Sequence, residues 1–185
     1  MSKRRDPAKH ADTTFSPWGN HTTADDPLPE DAVALAIRDS LYDLIPLGQM
    51  ERELINTPAF LRLQQIKQLG FVYRIWPGAT HTRYEHSLGV YYLALRALRL
   101  LGQRRVAGLR ATQDELRTVL AAALLHDIGH YPFSHAIEEL GFPIVSHETI
   151  GRGIITGGAV AETLERHGLE PRAVADLIAP PRGYA

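Results

Sequence analysis

Apolar residues recur at helical spacing along most of the chain after residue 50. The pattern predicts helices over residues 50–55, 58–69, 83–103, 112–126, 132–140, 147–155, 159–167 and 171–179. Prolines suit the first position of two of these helices and glycines stand at the ends of others: Pro58, Pro171, Gly70, Gly129, Gly141 and Gly168. No convincing period-two alternation appears, and residues 37–47 stay unassigned between an extended segment and a helical turn. The predicted fold class is all-α.

Two of the predicted helices bring polar side chains to a core. At 100° per residue, one side of the helix 83–103 carries His86, Val90, Leu93, Ala97 and Leu100. The other side carries Glu85, Tyr92, Arg96, Arg99 and Gln103. This placement points His86 inward. The apolar stripe of the helix 112–126 delivers His126 and Asp127 at its C-terminal end.

Composition restricts the chemistry that this chain can perform. With 185 residues, 44% of them hydrophobic, the chain has the length of one domain with a sizeable core. It contains no cysteine, which excludes a disulfide framework, a thiolate metal site and a cysteine nucleophile. Histidines and carboxylates must therefore supply any metal ligands.

Charge and polarity indicate the partners and the boundaries. The net charge of −1 gives no indication of nucleic-acid binding. Residues 1–30 contain few aliphatic side chains and are expected to form a flexible leader before a domain over 31–185. No apolar run reaches the roughly 18 residues of a membrane span, and we expect no secretory signal, because the charged N-terminus is not followed by an apolar segment. The expected location is cytoplasmic, without membrane association.

Six of the nine histidines fall between residues 81 and 147: His81, His86, His126, His130, His135 and His147. A helix that ends near Gly129 lets the backbone turn, so that His126 and Asp127 can converge. His86, from a different helix, can supply a third ligand. Taken alone, an inward histidine is more often a satisfied core residue; taken together, buried imidazoles beside a carboxylate are costly unless they are paired or bound to metal.

Imidazole nitrogen with carboxylate oxygen suits Zn, Mn, Fe, Co or Ni, and three protein ligands leave positions open for water and substrate. Such a site suits hydrolysis of a phosphate ester. His130 and His147 are then candidates for general acid–base catalysis or for stabilising phosphate charge, and Glu138 can orient one of them.

Three segments carry a resemblance to a known family: LINTPAFLRLQQIKQLG at 54–70, WPGATHTRYEHSLGV at 76–90 and LLHDIGHYPFSHAIEE at 124–139. They resemble the HD superfamily of metal-dependent phosphohydrolases, and within it the deoxynucleoside triphosphate triphosphohydrolases. The similarity covers about residues 37–180. It implies a helical HD-domain bundle, a divalent metal ion (Mn, Mg, Zn, Fe, Co or Ni), and a nucleotide substrate, most of all a dNTP split into deoxynucleoside and triphosphate.

The resemblance also implies roles for individual residues. By this likeness the first three metal ligands are His86, His126 and Asp127. His130 resembles the catalytic histidine near the scissile phosphate, Glu138 resembles its acidic partner, and His147 resembles a further phosphate-facing histidine.

Four more positions match substrate-binding residues of the family. Arg83 stands at the phosphate-contacting arginine and His135 at a histidine that lines the nucleotide pocket. Gln68 and Leu69 match a pair that packs on the deoxyribose. Plainer interpretations stay open: Arg83 can be a helix-start arginine paired with Glu85 or Asp127, and Gln68 and Leu69 can be an ordinary helix end.

The chain departs from the family pattern near its end. The family's fourth ligand is an aspartate well downstream of the His-Asp pair, and the sequence stops at Ala185. We expect Asp176 to be solvated, so the chain is expected to be a partial, truncated member. Two alternatives follow: an HD phosphohydrolase for monophosphates, cyclic nucleotides or alarmones, or an inactive nucleotide-binding fragment. Apolar surface left exposed would favour a homo-oligomer.

Overall fold

The structure is a computed structural model that describes residues 33–103, 111–133, 137, 139 and 145–180. Its main elements, in chain order, are β1 Leu35–Asp39, β2 Asp43–Leu47, α1 Gln49–Ile55, α2 Pro58–Leu61, α3 Arg83–Gln103, α4 Gln113–Leu125, α5 His147–Ile155, α6 Gly158–Arg166 and α7 Pro171–Ile178. The all-α class is confirmed, since the strands form one two-stranded hairpin. The predicted leader 1–30 and most of the predicted helix 132–140 lie outside the described residues.

The hairpin β1–β2 was not predicted. Its strands pair antiparallel, and the carboxylate of Asp39 closes the turn by accepting hydrogen bonds from the backbone N–H groups of Leu41 and Tyr42 at 2.8 and 2.9 Å. Of the two conformations left open for residues 37–47, an extended segment or a helical turn, the structure shows the extended one over most of the segment. Consecutive residues 45–47 are all buried, so the strand shows no alternation for a period-two search to detect.

The helix predicted over 58–69 is shorter in the structure. Thr57 caps α2 by accepting from Phe60 N, and a 3-10 turn over Arg62–Gln65 follows. Ile66 then becomes extended and its carbonyl accepts from Arg83 N at 2.9 Å. The backbone pairs with the segment before α3 instead of continuing the helix, and the next 3-10 turn, Val72–Arg74, lies in the connection.

The inward face of α3 differs from the predicted one. Its buried apolar residues are Leu88, Tyr91, Tyr92 and Leu95. Leu93 and Leu100, which were placed inward, are 49% and 50% exposed. Apolar residues surround this helix almost completely, so 100° spacing alone did not select one face. His86 is nevertheless partly buried, because its ring packs edge-on against that of His126 at the end of α4.

The later helices agree with the prediction. The helices predicted over 147–155, 159–167 and 171–179 are confirmed as α5, α6 and α7, with ends that differ by one residue at most. A capping box between Thr112 and Glu115 starts α4. Helix α4 packs against α3 on one side and α7 on the other, so its C-terminal end lies against the core.

Candidate metal centre

The end of α4 brings two adjacent side chains together. After Leu125 the chain turns through residues 126–130, which we call the His-Asp turn. Departure from regular helix lets His126 Nε2 and Asp127 Oδ1 approach to 3.2 Å. On a continuous helix these two side chains would point about 100° apart. The convergence expected from the sequence is thus present.

A third donor reaches the same point from α3. His86 Nε2 lies 3.3 Å from His126 Nε2 and 3.8 Å from Asp127 Oδ2. The donor atoms of these three residues all lie within 4.8 Å of one another. Among the described residues this is the set of histidine and carboxylate groups that could hold a metal ion.

The spacing of these donors fits one ion. Two ligands about 2.1 Å from a cation, at angles of about 90–109°, stand roughly 3.0–3.4 Å apart. The His86–His126 and His126–Asp127 separations of 3.3 and 3.2 Å fall in this range. Nitrogen and oxygen donors together suit a divalent transition metal.

The tautomer of His126 also suits ligation. Its Nδ1 lies 3.0 Å from the carbonyl oxygen of Ala123. A carbonyl oxygen only accepts hydrogen bonds, so Nδ1 carries the proton and the Nε2 lone pair faces the site. This outer hydrogen bond is the usual means of orienting a metal-binding imidazole.

Asp127 supplies the negative charge of the centre. It is 6% exposed, and its Oδ2 accepts a hydrogen bond of 2.6 Å from Arg83 Nη1, while His130 Nε2 lies 3.3 Å from its Oδ1. Burial raises the pKa of Asp127, but the hydrogen bond from His130 and the positive charge of Arg83 outweigh it. The pKa of this carboxyl group therefore lies well below its usual range, and the group is ionised at neutral pH.

The neighbouring imidazoles favour the neutral form. Burial lowers the pKa of His86, with opposition from the charge of Asp127. Burial likewise lowers the pKa of His130, again against the attraction of Asp127. A neutral imidazole is the form that binds metal or accepts a proton.

His130 and His147 form a stacked pair beside the carboxylate. Their ring centroids are 3.7 Å apart with an interplanar angle of 14°. His147 is the first residue of α5, and α5 approaches the turn closely at Gly129. A Cβ at Gly129 would lie 2.0 Å from the carbonyl oxygen of His147. The sequence suggested Gly129 as a helix end; the structure shows that it also admits α5.

The predicted substrate-binding residues lie on the segment before α3 and at its start. Arg83 pairs with Asp127, one of the two partners considered in its plainer interpretation. Its Nε and the Oε1 of Gln68 are buried and have no hydrogen-bond partner among the described residues. Leu69 is 46% exposed. Buried unsatisfied polar atoms are uncommon and costly, so each of these two atoms is an exception to the usual pairing.

Three other sequence expectations have different outcomes. His135 and Glu138 lie outside the described residues, and their roles stay predictions. Asp176 is partly solvated, as expected, with its side chain 45% exposed, and it also pairs with Arg152 on α5. Its carboxylate is not part of the His86, His126 and Asp127 group.

The centre opens on a cleft of about 520 Å³. The cleft is lined by both polar and apolar residues: Val119, Ala122, Ala123, His126, Asp127, His147, Glu148, Leu177 and Ile178. Glu148 was not singled out from the sequence, although its position directly after His147 was a signal. Arg62, whose guanidinium contacts the His-Asp turn, was also missed, and no local pattern pointed to it.

Two imidazoles and a carboxylate that converge at the ends of helices indicate the class of this protein: a helical domain with a candidate metal site. A model of the HD domain family matches residues 83–180, and this chain belongs to that family. The resemblance drawn from the sequence is confirmed at this level. Among helices of the described residues, none has both the length and the apolar character needed to cross a bilayer.

Relatives cover most of this chain. An uncharacterized protein of Methanocaldococcus jannaschii is 38% identical over 146 residues, 75% of this chain and 29% of that protein. Deoxynucleoside triphosphate triphosphohydrolase SAMHD1 of Gallus gallus is 39% identical over 141 residues, 71% of this chain and 23% of that protein. An uncharacterized Bacillus subtilis protein is 41% identical over 129 residues, 69% of this chain and 29% of that protein. The chain thus spans less than a third of the length of these relatives.

Proposed function

We propose that this chain is a metal-dependent phosphohydrolase acting on nucleotides, with a divalent cation held by His86, His126 and Asp127. The observation that carries the proposal is the meeting of three donors from two helices, all within 4.8 Å of one another. A histidine pair and an arginine lie directly beside them. Metal-dependent hydrolysis of a phosphate ester uses donors that hold the metal ion, groups that exchange protons and a positively charged side chain that binds the phosphate.

A divalent cation in this position supplies Lewis-acid polarisation of a phosphoryl oxygen and lowers the pKa of a bound water molecule. Asp127 keeps its negative charge and orients Arg83 and His130 through hydrogen bonds. Arg83, which is held by Asp127, is the cation that we assign to the phosphate. His130 and His147, which stack beside the carboxylate, exchange the proton that passes from water to the departing oxygen.

The substrate we propose is a dNTP. Water attacks the α-phosphorus, the bond to the 5′ oxygen breaks, and that oxygen leaves with a proton as part of the deoxynucleoside, while triphosphate is the second product. Support comes from the name of the Gallus gallus relative, and from Gln68, whose buried Oε1 lacks a partner in the described structure. We assign Gln68 and Leu69 to contacts with the deoxyribose. We assign His135 to the lining of the nucleotide pocket, and Glu138 to the role of acidic partner of the catalytic histidine.

Turnover with added Mn²⁺ or Co²⁺ tests the proposal. The wild type is incubated with dNTPs, NTPs, monophosphates, cyclic nucleotides and alarmones, and products are identified by ³¹P NMR. Triphosphate released from dNTPs is the expected result, and His126→Ala should abolish it. His167→Ala is the matched control, since His167 pairs with Glu53 away from the centre, and it should keep wild-type turnover.

The panel also separates the alternatives. Turnover of monophosphates, cyclic nucleotides or alarmones in place of dNTPs would identify another HD phosphohydrolase specificity. Tight nucleotide binding without turnover, unchanged by metal, would identify a binding module. A protein that binds Mn²⁺ normally and turns over no nucleotide contradicts the proposed activity. A homo-oligomer and a cytoplasmic location stay predictions, which gel filtration and fractionation can test.

A further inference from the structure

Arg62 connects the segment after α2 to the His-Asp turn. Its Nη1 donates to the carbonyl oxygen of His130 at 2.5 Å, and its Nη2 donates to that of Ile128 at 2.7 Å. These two carbonyls lie on either side of Gly129. One guanidinium group therefore holds both sides of the turn that carries the candidate metal ligands.

The environment of Arg62 shows that this contact is its main interaction. No carboxylate among the described residues pairs with it, and burial alone lowers the pKa of its guanidinium. Arginines that lose water usually gain a carboxylate or phosphate partner. Here the partners are two backbone carbonyls, and hydrogen bonds from a charged donor are stronger than neutral ones.

Two backbone hydrogen bonds lie within the turn itself, among the described residues. Its own backbone hydrogen bonds run from Ile128 N to Leu125 O and from His130 N to Asp127 O, both at 3.0 Å. Carbonyl groups at the end of a helix have no intrahelical donor and need one from outside. Arg62 supplies two such donors from 66 and 68 residues away in sequence.

We propose that Arg62 is a positioning residue of the metal centre. It holds the carbonyls of Ile128 and His130, and so sets where the His130 ring meets Asp127 Oδ1 and the ring of His147. Arg62 acts only through the turn and touches neither the metal donors nor, in this assignment, the substrate. The inference rests on the proposed function in one respect: it takes the His-Asp turn to carry two metal ligands and the catalytic histidine.

The test compares Arg62→Met with Arg117→Met. Arg117 is a matched control because it also donates to a backbone carbonyl, that of His167 at 2.8 Å, at the opposite end of α4. The first measurement is the ¹H–¹⁵N imidazole spectrum of each metal-free protein at one pH. The second is Mn²⁺ affinity by calorimetry, and the third is the melting temperature.

For Arg62→Met we expect shifted imidazole resonances of His126, His130 and His147, and Mn²⁺ binding weakened by about 10-fold, the scale of outer-shell contacts. Arg117→Met should lower the melting temperature without either change. A residue that only stabilised the fold would make the two variants alike. Wild-type resonances and affinity in folded Arg62→Met would overturn the inference.

Arg62→Lys keeps the test decisive if the methionine variant does not fold. A lysine retains the charge but cannot reproduce the planar fork that spans two carbonyls, so intermediate shifts and affinity are expected, and wild-type values would again overturn the inference. If the wild type binds no Mn²⁺, the proposed function fails, while the imidazole spectra of the metal-free variants still decide the role of Arg62.

Discussion

Two clusters of side chains in this molecule contain the same residue types, histidine, arginine and a carboxylate, but arrange them differently. At the candidate metal centre, Asp127 is 6% exposed, and His86 and His126 turn ring nitrogens toward it. In the second group, which we call the Glu53 cluster, Glu53 Oε2 lies 2.8 Å from Arg166 Nη2 and 3.3 Å from His167 Nε2. Arg166 there is 57% exposed.

The difference lies in what the nitrogen atoms face. In the Glu53 cluster one histidine and one arginine each face the carboxylate, and Gln49 donates to its second oxygen. At the metal centre two imidazole nitrogens face each other across 3.3 Å. In the Glu53 cluster the opposite charges pair with each other. At the candidate metal centre the nitrogen and oxygen lone pairs converge on one point. Residue type therefore indicates a candidate site, and the direction of the donor atoms distinguishes it from an ion pair.

The largest expected effect comes from exchanging the carboxylates of the two regions for amides. Asp127→Asn removes the anionic donor, so calorimetry should detect no Mn²⁺ binding. Glu53→Gln, the matched change in the Glu53 cluster, should bind Mn²⁺ as the wild type does. Equal affinity in Asp127→Asn and wild type would remove the distinction drawn above.

Gly129→Ala should have the next largest effect. The added Cβ would meet His147 O at 2.0 Å, so α5 must move. We expect a loss of about 1–3 kcal/mol in the free energy of unfolding, with changed imidazole resonances of His130 and His147. The control is Gly153→Ala in α5, where nothing lies within 4 Å of the added Cβ, so about 0.5–1 kcal/mol should be gained. Urea denaturation measures both.

Glu51 is a buried acid on α1 near the Glu53 cluster. Its contribution to the stability of the fold should depend on pH in the opposite direction from that of Glu53. Burial raises the pKa of Glu51 above 4.5. Its protonated form therefore favours the folded state, and the stability it contributes below pH 4.5 is lost as pH rises through the folded pKa. Glu51→Gln should exceed the wild type in stability at pH 7 and match it near pH 4 in urea titrations. A constant difference across this range would exclude the linkage.

The smallest effect is expected at Glu53. The hydrogen bond from Arg166, with help from Gln49, lowers the pKa of Glu53 to about 2. Its contribution is present above the ordinary value of 4.5 and is lost as pH falls through about 2. Glu53→Gln should be slightly less stable than the wild type at pH 7, and high salt should reduce the difference. The gap between the two proteins should narrow in acid, as followed by thermal melts.

The sequence allowed part of this structure to be predicted. Convergence of His126 and Asp127 followed from a helix end, which is a local signal. His86 followed from the resemblance of residues 76–90 to the family, because the helical period grouped it with Leu93 and Leu100, which are exposed. The face of α3 did not, because apolar residues occur on every side of that helix. The hairpin was missed because residues 45–47 are all buried.

Other features depend on tertiary contacts that no local pattern carries. The hydrogen bonds of Arg62 join residues 66 and 68 positions apart. The approach of α5 to Gly129 likewise arises from packing between separate helices. Pairing between Ile66 and Arg83 shortened the predicted helix over 58–69, because a competing backbone partner replaced the helical one.

The donors of the candidate centre come from two separate helices, so metal binding should affect the stability of the whole domain. A cation shared by His86 on α3 and His126 at the end of α4 would cross-link elements whose ligands are 40 residues apart in the chain. By mass action, an ion that binds only the native state at 100 times its Kd adds about 2.7 kcal/mol of stability. Heating the protein against increasing Mn²⁺ or a chelator would thus reveal occupancy without any nucleotide present.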